Sequence, residues 1–173
     1  MSGTGLLLLF LRDGVAPPER WLRLRDGAVA ARGDTFPPPD APAEEGERIV
    51  AVVPGEDVAI RWVGLPALAP RQAAAAARLL AAEESAAPVD SLHVALGRLD
   101  GEAEQRPLAL ASIDRMRAWL DQAQALGCDP DHIVPEPMLL APPPEGMWSW
   151  PRGARCVVRG PALAYAAEPE LAA

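Results

Sequence analysis

The sequence predicts a mixed α/β fold in which short strands precede each of two helices. Residues 6–11 form an apolar run whose length suits a strand covered on both faces. Residues 69–88 are rich in Ala and bounded by Pro, and residues 114–127 carry apolar side chains at helical spacing. The remaining apolar residues fall in short alternating or β-branched runs, so the order is a β-meander, then two strand-strand-helix groups, then strands.

The N-terminal part predicts three strands in a meander. After the first apolar run, residues 20–31 alternate between apolar and Arg side chains and are interrupted by Asp26-Gly27, a strong signal for a hairpin turn. Residues 36–47 follow, with four Pro and four acidic residues. This composition suits neither a strand nor a packed core, so we expect a solvated loop.

The stretch VAVVPGEDVAIRWVGLP, residues 50–66, predicts a hairpin that leads into a helix. Its strands are expected at 49–53 and 58–63, joined by a turn at Pro54-Gly55-Glu56-Asp57. The Ala-rich helix then begins near Pro70, because Pro is well tolerated in the first turn of a helix, and it ends before Pro88.

The second half of the chain predicts further strands at 92–99, 108–113, 147–150 and 154–166, the last two as a pair. Between them lies the second helix. The spacing predicts an N-cap at Asp114, a stop at Gly127 and one apolar stripe on the helix. That stripe consists of Met116, Trp119, Leu120 and Ala123.

Composition excludes several classes of function. The net charge is −8, which argues against a general nucleic-acid-binding protein. All 16 basic residues are Arg, and without Lys the chain can form neither a P-loop nor a Schiff base. The two Cys residues do not require a disulfide framework, so we expect a cytosolic, reducing environment. The apolar run at 6–11 is too short for a membrane span and lacks the flanks of a signal peptide.

No catalytic or metal-binding pattern emerges from the residues. His93 lies within a strand without neighbouring ligands, and Cys128 with His132 supplies only two of the four ligands that a zinc site needs. The adjacent carboxylates of Glu83 and Glu84 point about 100° apart on a helix. G-x-S-x-G and G-x-G-x-x-G motifs are absent. We therefore expect neither an enzyme nor a cofactor.

The Ala-rich helix is the candidate docking element. Arg71 and Arg78 share one side, while Gln72 and Glu83 lie on a neighbouring one. Such a helix normally covers a sheet, and its shallow outer face can also accept an element of another protein. Arg71, Arg78, Glu83 and Glu84 are the candidate partner-binding residues, because a docking surface needs charge beside apolar area.

A series of short motifs resembles a known family. Together they span residues 49–140, and their order and spacing resemble the cytoplasmic domain of the type II secretion system protein L family. The motifs are Pro54-Gly55-Glu56-x-Val58, Leu65-Pro66, Leu80-x-x-Glu83-Glu84, Asp90-x-Leu92-His93-x-Ala95-Leu96-Gly97, Leu126-Gly127 and Pro130-Asp131-x-Ile133-Val134-Pro135-x-Pro137-x-Leu139-Leu140.

The resemblance implies an actin-like, ribonuclease H-like fold. In that scheme residues 1–65 and 114–173 form the first actin-like lobe, and residues 66–113 form a small inserted subdomain of helix and strands. Members of the family are bitopic inner-membrane proteins, and this chain is expected to be a fragment or a shortened homologue, since it lacks the anchor helix.

The resemblance also implies a function and partners. The protein would be a non-enzymatic scaffold at the cytoplasmic face of the bacterial inner membrane. It would recruit the secretion ATPase, protein E, through that enzyme's N-terminal domain. In the full-length protein it would also contact proteins M and F, and a homodimer is possible.

Nucleotide binding is not expected, although actin-like proteins bind ATP. The first phosphate-binding turn would be residues 12–18, which contain no Ser or Thr and include two Pro without N–H donors. Two alternatives stay open: an actin-like ATPase or sugar-kinase relative, and a type IV pilus inner-membrane assembly protein of the same fold.

Overall fold

The computed structural model describes residues 5–12, 20–35, 46–66, 68–98 and 105–171. Within these ranges the strands and α-helices are β1 (Gly5–Phe10), β2 (Arg20–Arg25), β3 (Ala28–Gly33), β4 (Arg48–Val53), β5 (Ala59–Gly64), α1 (Pro70–Glu84), β6 (Leu92–Leu96), β7 (Gln105–Ser112), α2 (Ile113–Ala125), β8 (His132–Pro135), β9 (Trp148–Arg152), β10 (Arg155–Gly160) and β11 (Leu163–Ala167). Short 3-10 helices lie between some of them. The predicted loop at 36–47 lies mostly outside the described residues.

The chain divides into two compact units, each built from two separate segments. Unit 1 comprises Met1–Pro54 and Arg117–Glu136, and unit 2 comprises Gly55–Met116 and Pro137–Ala173. Unit 1 contains a five-stranded mixed sheet, whereas unit 2 contains two three-stranded antiparallel sheets. The mixed α/β class predicted from the sequence is confirmed.

The domain boundaries inferred from the resemblance stay a prediction: a lobe of residues 1–65 and 114–173 and an insertion of residues 66–113. Strand pairing crosses the boundary between residues 65 and 66. β5 lies before it and β7 after it, yet Ile60 pairs with Ala109 and Trp62 with Pro107 in one antiparallel ladder. The chain therefore enters the three-stranded sheet before the Leu65-Pro66 motif.

Unit 1 is built on a sheet with strand order β3-β2-β1-β4-β8. The predicted N-terminal meander is confirmed, since β2 is antiparallel to both β1 and β3. Its tight turn is formed by Asp26 and Gly27, with φ of 49° and 78°. Positive φ at both central residues is the geometry that matches the twist of a two-residue hairpin.

The predicted hairpin between 49–53 and 58–63 is wrong. β4 pairs in parallel with β1 on one side, where Val50 faces Leu8, and with β8 on the other, where Val50 faces His132. The turn predicted at residues 54–57 is instead a short 3-10 helix, Gly55–Asp57, that leads into unit 2. β4 is buried over Val50–Val53, which is typical of a central strand in a parallel sheet.

A buried ion pair connects Arg23 of β2 with Glu47, the residue before β4. Arg23 Nε donates to Glu47 Oε1 at 2.7 Å, and Arg23 Nη2 donates to Glu47 Oε2 at 3.1 Å. The two side chains are only 6% and 1% exposed. This paired, fork-like contact satisfies both charges where water is excluded.

Helix α2 begins and ends with identifiable caps. The Ser112 hydroxyl accepts a hydrogen bond from the Arg115 N–H at 3.1 Å, so the cap is Ser112 and the predicted cap at Asp114 is wrong. Gly127 ends the helix as predicted, with φ of 70°, and Cys128 N–H donates to the Ala123 carbonyl in a Schellman arrangement. Of the predicted stripe, Trp119 and Ala123 are buried, Met116 is half-buried and Leu120 is exposed.

Unit 2 contains the sheets β5-β7-β6 and β11-β10-β9. The C-terminal sheet is a meander of three strands, so the predicted final pair is incomplete. The segment predicted as one strand at 154–166 contains a turn at Pro161 and Ala162, which separates β10 from β11. Val157 and Val158 of β10, the middle strand of this sheet, are buried.

Candidate functional site

Helix α1 covers the sheet β5-β7-β6 with a stripe of alanines. Ala73, Ala77 and Ala81 are buried, at the i, i+4, i+8 spacing that places them on one helix face. Because alanine projects only a methyl group, this stripe brings the helix close to the sheet beneath it. The buried cluster that includes Ala77 and Ala81 also contains Val63, Leu108 and Leu110.

The opposite side of the helix faces solvent and forms the first candidate surface. At its centre Leu79 is 68% exposed, between two small alanines. A lone exposed Leu is ordinary, but one at the middle of a helix face whose other apolar side chains are all alanines is a suitable apolar anchor for a partner. We call this the α1 outer face; it consists of Arg71, Gln72, Ala75, Arg78, Leu79, Ala82 and Glu83.

Two of the four predicted partner-binding residues are engaged within unit 2. Arg78 Nη2 donates to Asp90 Oδ1 at 3.1 Å. Glu84 forms an ion pair with Arg61 of β5, with 3.0 Å between Arg61 Nη1 and Glu84 Oε2. Glu84 therefore lies on the sheet side of the helix and not on the α1 outer face.

The other two predicted residues, Arg71 and Glu83, are exposed and form no ion pair with a described residue. They lie on opposite sides of Leu79, so the α1 outer face has a cationic border and an acidic border. A partner that carries the complementary arrangement would be held in one orientation, because the reversed orientation brings like charges together.

A second exposed surface was not singled out by sequence reasoning. On β9, Trp148 is 56% exposed and Trp150 is 65% exposed, and the i, i+2 spacing places them on one side of the strand. A Cβ added to Gly160 would lie 3.3 Å from Leu163 Cβ and 3.6 Å from Met147 Cγ, so these two side chains are neighbours. We call Trp148 and Trp150 the β9 surface. Met147 and Leu163 lie on the other side of the sheet, with Gly160.

The signal for this surface is present in the sequence as Trp-Ser-Trp followed by Pro. Two Trp at strand spacing beside a Pro predict an edge strand with an aromatic side. The sequence predicts only a short strand at 147–150, because the spacing of residues within a strand does not show whether it pairs on both sides.

The described residues hold no group of three or more His, Cys, Asp or Glu side chains that could bind a metal. His93 is exposed on β6, as the alternation of that strand predicts. Cys128 is buried, its Sγ lies 3.7 Å from the Leu126 carbonyl, and burial raises the pKa of its thiol. The side chain is thus an apolar packing element at neutral pH.

The predicted phosphate-binding turn at 12–18 lies, apart from Arg12, outside the described residues. Its inability to bind nucleotide stays a prediction. Across the described part of the chain, no helix is both long and apolar enough to cross a bilayer.

Comparison with known proteins identifies the family. The sequence model of the type II secretion system protein L family matches residues 42–164. The chain belongs to this family. The type II secretion system protein L of Dickeya chrysanthemi is 33% identical over 98 residues, which cover 57% of this chain and 24% of that protein. The chain therefore matches about a quarter of the length of that protein L.

Solved structures establish the fold. The cytoplasmic domain of EpsL, an inner-membrane component of the type II secretion system of Vibrio cholerae, superimposes with a TM-score of 0.72 at 20% identity, covering 96% of this chain and 72% of that one. A PilM-PilN type IV pilus biogenesis complex gives a TM-score of 0.59 at 15% identity, covering 95% of this chain and 61% of that one. The predicted actin-like fold of this protein L family member is confirmed.

Proposed function

We propose that this member of the protein L family is part of a non-enzymatic scaffold that recruits the secretion ATPase to the inner-membrane platform of the type II secretion system. The observation that carries the proposal is the family match over residues 42–164. The likeness to the cytoplasmic domain of an inner-membrane component supports placing this chain at the cytoplasmic face of that membrane.

The α1 outer face is the proposed docking surface for the N-terminal domain of the ATPase, protein E. Its centre is flat, because alanine flanks Leu79, and a flat surface with one apolar projection admits a helix or strand of a partner without steric conflict. Arg71 and Glu83 supply charges that are already exposed. Removing them from water costs less when an opposite charge on the partner replaces the solvent.

Arg78 and Glu84 contribute differently. Each has an ion pair at the surface of unit 2, with Asp90 and Arg61 respectively. Exposed pairs of this kind contribute about 0–1 kcal/mol, so either residue can exchange its internal partner for a group on the ATPase at little cost. Arg78 borders the α1 outer face, which makes it the better placed of the two.

The mechanism is recruitment. A soluble motor bound to a membrane-attached scaffold has a much higher effective concentration at the membrane than in the cytosol. In the full-length protein, contacts with proteins M and F would connect that motor to the rest of the assembly platform. No chemical step is assigned to this chain, and a calorimetric titration that gave micromolar affinity for ATP would contradict the absence of nucleotide binding.

Titration calorimetry with the isolated N-terminal domain of the cognate ATPase tests the docking surface. Leu79→Asp should weaken binding at least tenfold, because a central apolar anchor contributes about 2 kcal/mol or more and tenfold corresponds to about 1.4 kcal/mol. Leu171→Asp is the matched control, since Leu171 is 72% exposed elsewhere in unit 2, and it should leave the affinity unchanged.

Charge reversal is the second test of the α1 outer face. A variant with all four predicted residues reversed should lose binding, and circular dichroism should show that its helix content is retained. If both this variant and Leu79→Asp bind as the parent does, the ATPase docks elsewhere. The reversed residues are Arg71→Glu, Arg78→Glu, Glu83→Arg and Glu84→Arg.

A type IV pilus assembly protein is the second candidate, favoured only by the likeness to the PilM-PilN complex. At 15% identity that likeness shows the fold alone. The same titration with the ATPase of a type IV pilus system separates the two candidates, and we expect no binding.

A further inference from the structure

The ion pair between Arg78 and Asp90 lies at the border of the α1 outer face. Arg78 Nη2 donates to Asp90 Oδ1 at 3.1 Å, and the two side chains are 50% and 93% exposed. Water therefore reaches both charges, so the pair can open and close without moving any buried group. Leu79, beside Arg78 on the helix, is 68% exposed, so the guanidinium does not cover the apolar centre of the face.

The turn that follows α1 holds Asp90 in place. It comprises residues 85–91 and ends in a short 3-10 helix. Ser91 donates twice to the Pro88 carbonyl, from its hydroxyl at 2.7 Å and from its backbone N–H at 2.9 Å. Val89 packs against the buried cluster beneath α1. The carboxylate of Asp90 is therefore kept near the helix, and it has a high effective concentration at its guanidinium partner.

We propose that Asp90 is an internal competitor for Arg78, which lowers the affinity of the α1 outer face for an acidic group of its partner. This inference rests on the proposed docking of the ATPase. A carboxylate of the ATPase domain would satisfy the same guanidinium that Asp90 now holds. Two carboxylates at one guanidinium repel each other, so the partner gains this contact only when the internal pair opens.

The competition determines which partners the cationic side of the α1 outer face favours. Arg71 is exposed and forms no ion pair with a described residue, whereas Arg78 is held by Asp90. The two arginines are seven residues apart, which is about 10 Å along a helix. A partner with a single acidic group is expected to bind at Arg71. Displacing Asp90 favours only a partner that carries two acidic groups at a matching separation.

The exposure of the ion pair predicts the size of the effect. Exposed pairs of this kind change an equilibrium constant by up to about fivefold. Asp90→Asn removes the charge and keeps the shape of the side chain. The variant should therefore bind the N-terminal domain of the ATPase about two- to fivefold more tightly than the parent chain. A residue that itself contacted the partner would have the opposite effect when its charge is removed.

Titration calorimetry measures this gain in a double-mutant cycle with Arg78→Ala. Arg78→Ala should weaken binding and Asp90→Asn should strengthen it. The double variant should bind as Arg78→Ala does, because no guanidinium is left for which Asp90 could compete. Glu170→Gln is the matched control, since it removes one exposed carboxylate elsewhere in unit 2 and changes the net charge by the same amount. This control should leave the affinity unchanged.

Chemical labelling tests the ion pair without the ATPase. Phenylglyoxal condenses with guanidinium groups, and peptide mass spectrometry gives the rate at each arginine. Asp90→Asn should raise the rate at Arg78 by about twofold or more, because it removes the group that holds this side chain. The rate at Arg71, exposed on the same helix, is the internal control and should not change. Circular dichroism and thermal melting check that each variant folds.

Three results would overturn the proposal: an Asp90→Asn variant that binds no more tightly than the parent, a gain that persists in the Arg78→Ala background, or a labelling rate at Arg78 that does not depend on Asp90. If Leu79→Asp weakens binding while Asp90→Asn leaves it unchanged, the α1 outer face still receives the ATPase and only the competition is wrong. If Leu79→Asp binds as the parent does, the docking surface itself is wrong, and the competition is overturned with it.

Discussion

Replacing Arg23 by Met should destabilise unit 1 more than any conservative surface change. The guanidinium of Arg23 lies on β2, its partner Glu47 directly precedes β4, and both side chains are almost fully buried. Arg23→Met keeps an unbranched apolar stem on β2 but ends before the guanidinium position. What it removes is the charge that balances the Glu47 carboxylate.

The magnitude follows from burial. Removing one member of a buried ion pair typically costs about 3–5 kcal/mol, because the remaining charge is left without compensation. In a chain of this size 1 kcal/mol lowers Tm by roughly 2–4 °C, so we expect Tm to fall by about 6–20 °C. The double variant Arg23→Met with Glu47→Met should recover most of this loss, since an apolar pair of similar volume is often as stable as the ion pair.

Thermal unfolding followed by circular dichroism measures all four members of this double-mutant cycle. Glu47→Met alone should also be destabilising, because it leaves the guanidinium buried opposite an apolar side chain. The reasoning would be refuted if each single change lowered Tm by less than about 2 °C, or if the double variant were as unstable as the sum of the two.

Two further predictions concern α2 and its C-terminal end. Ser112→Ala should lower the free energy of unfolding by about 1 kcal/mol, because it removes the acceptor of the Arg115 N–H. Ser112→Asp should retain most of the stability, since Asp is also a good N-cap. Equal losses for the two variants in urea titrations would argue against a cap at this residue. Burial raises the pKa of Cys128, so between pH 7 and 8.5 a smaller fraction of it is thiolate than in an ordinary cysteine. Cys156, which is only partly buried, should therefore react with a thiol reagent much faster than Cys128 until the chain is unfolded. Equal rates in the folded protein would contradict this prediction.

Local signals in the sequence predicted individual elements better than their pairing. The run at 6–11, the Asp26-Gly27 turn and the end of α2 at Gly127 all depend on residues close in sequence. The partner of β4 does not. Two β-branched runs around Pro54-Gly55 suit a hairpin, yet β4 is apolar at every position from Ile49 to Val53, which favours a central parallel strand.

The start of α2 illustrates competition between similar signals. Ser112 and Asp114 are both good caps, and they are two residues apart. The structure selects Ser112 because β7 runs directly into the helix without a loop. Sequence alone offers no means to choose between the two, since the end of the strand is fixed by its pairing with β6, where Ser112 faces Leu92.

The candidate docking residues were predictable as a helix face but not as individuals. The spacing of Arg71, Arg78 and Glu83 placed them outside the alanine stripe. The ion pairs of Arg78 with Asp90 and of Glu84 with Arg61 depend on where the helix lies on its sheet. Tertiary packing alone determines that position, so no pattern in the sequence distinguishes engaged from available charges.

The division of each unit into two segments has a consequence for how the protein is made. β4 is in place once residue 53 has been synthesised, but β8, its parallel neighbour, begins at His132. On the ribosome the sheet of unit 1 must therefore wait for about 80 more residues, most of which belong to unit 2, before its last strand can pair. Contacts of such long range slow folding, and the exposed side of β4 is meanwhile open to other chains.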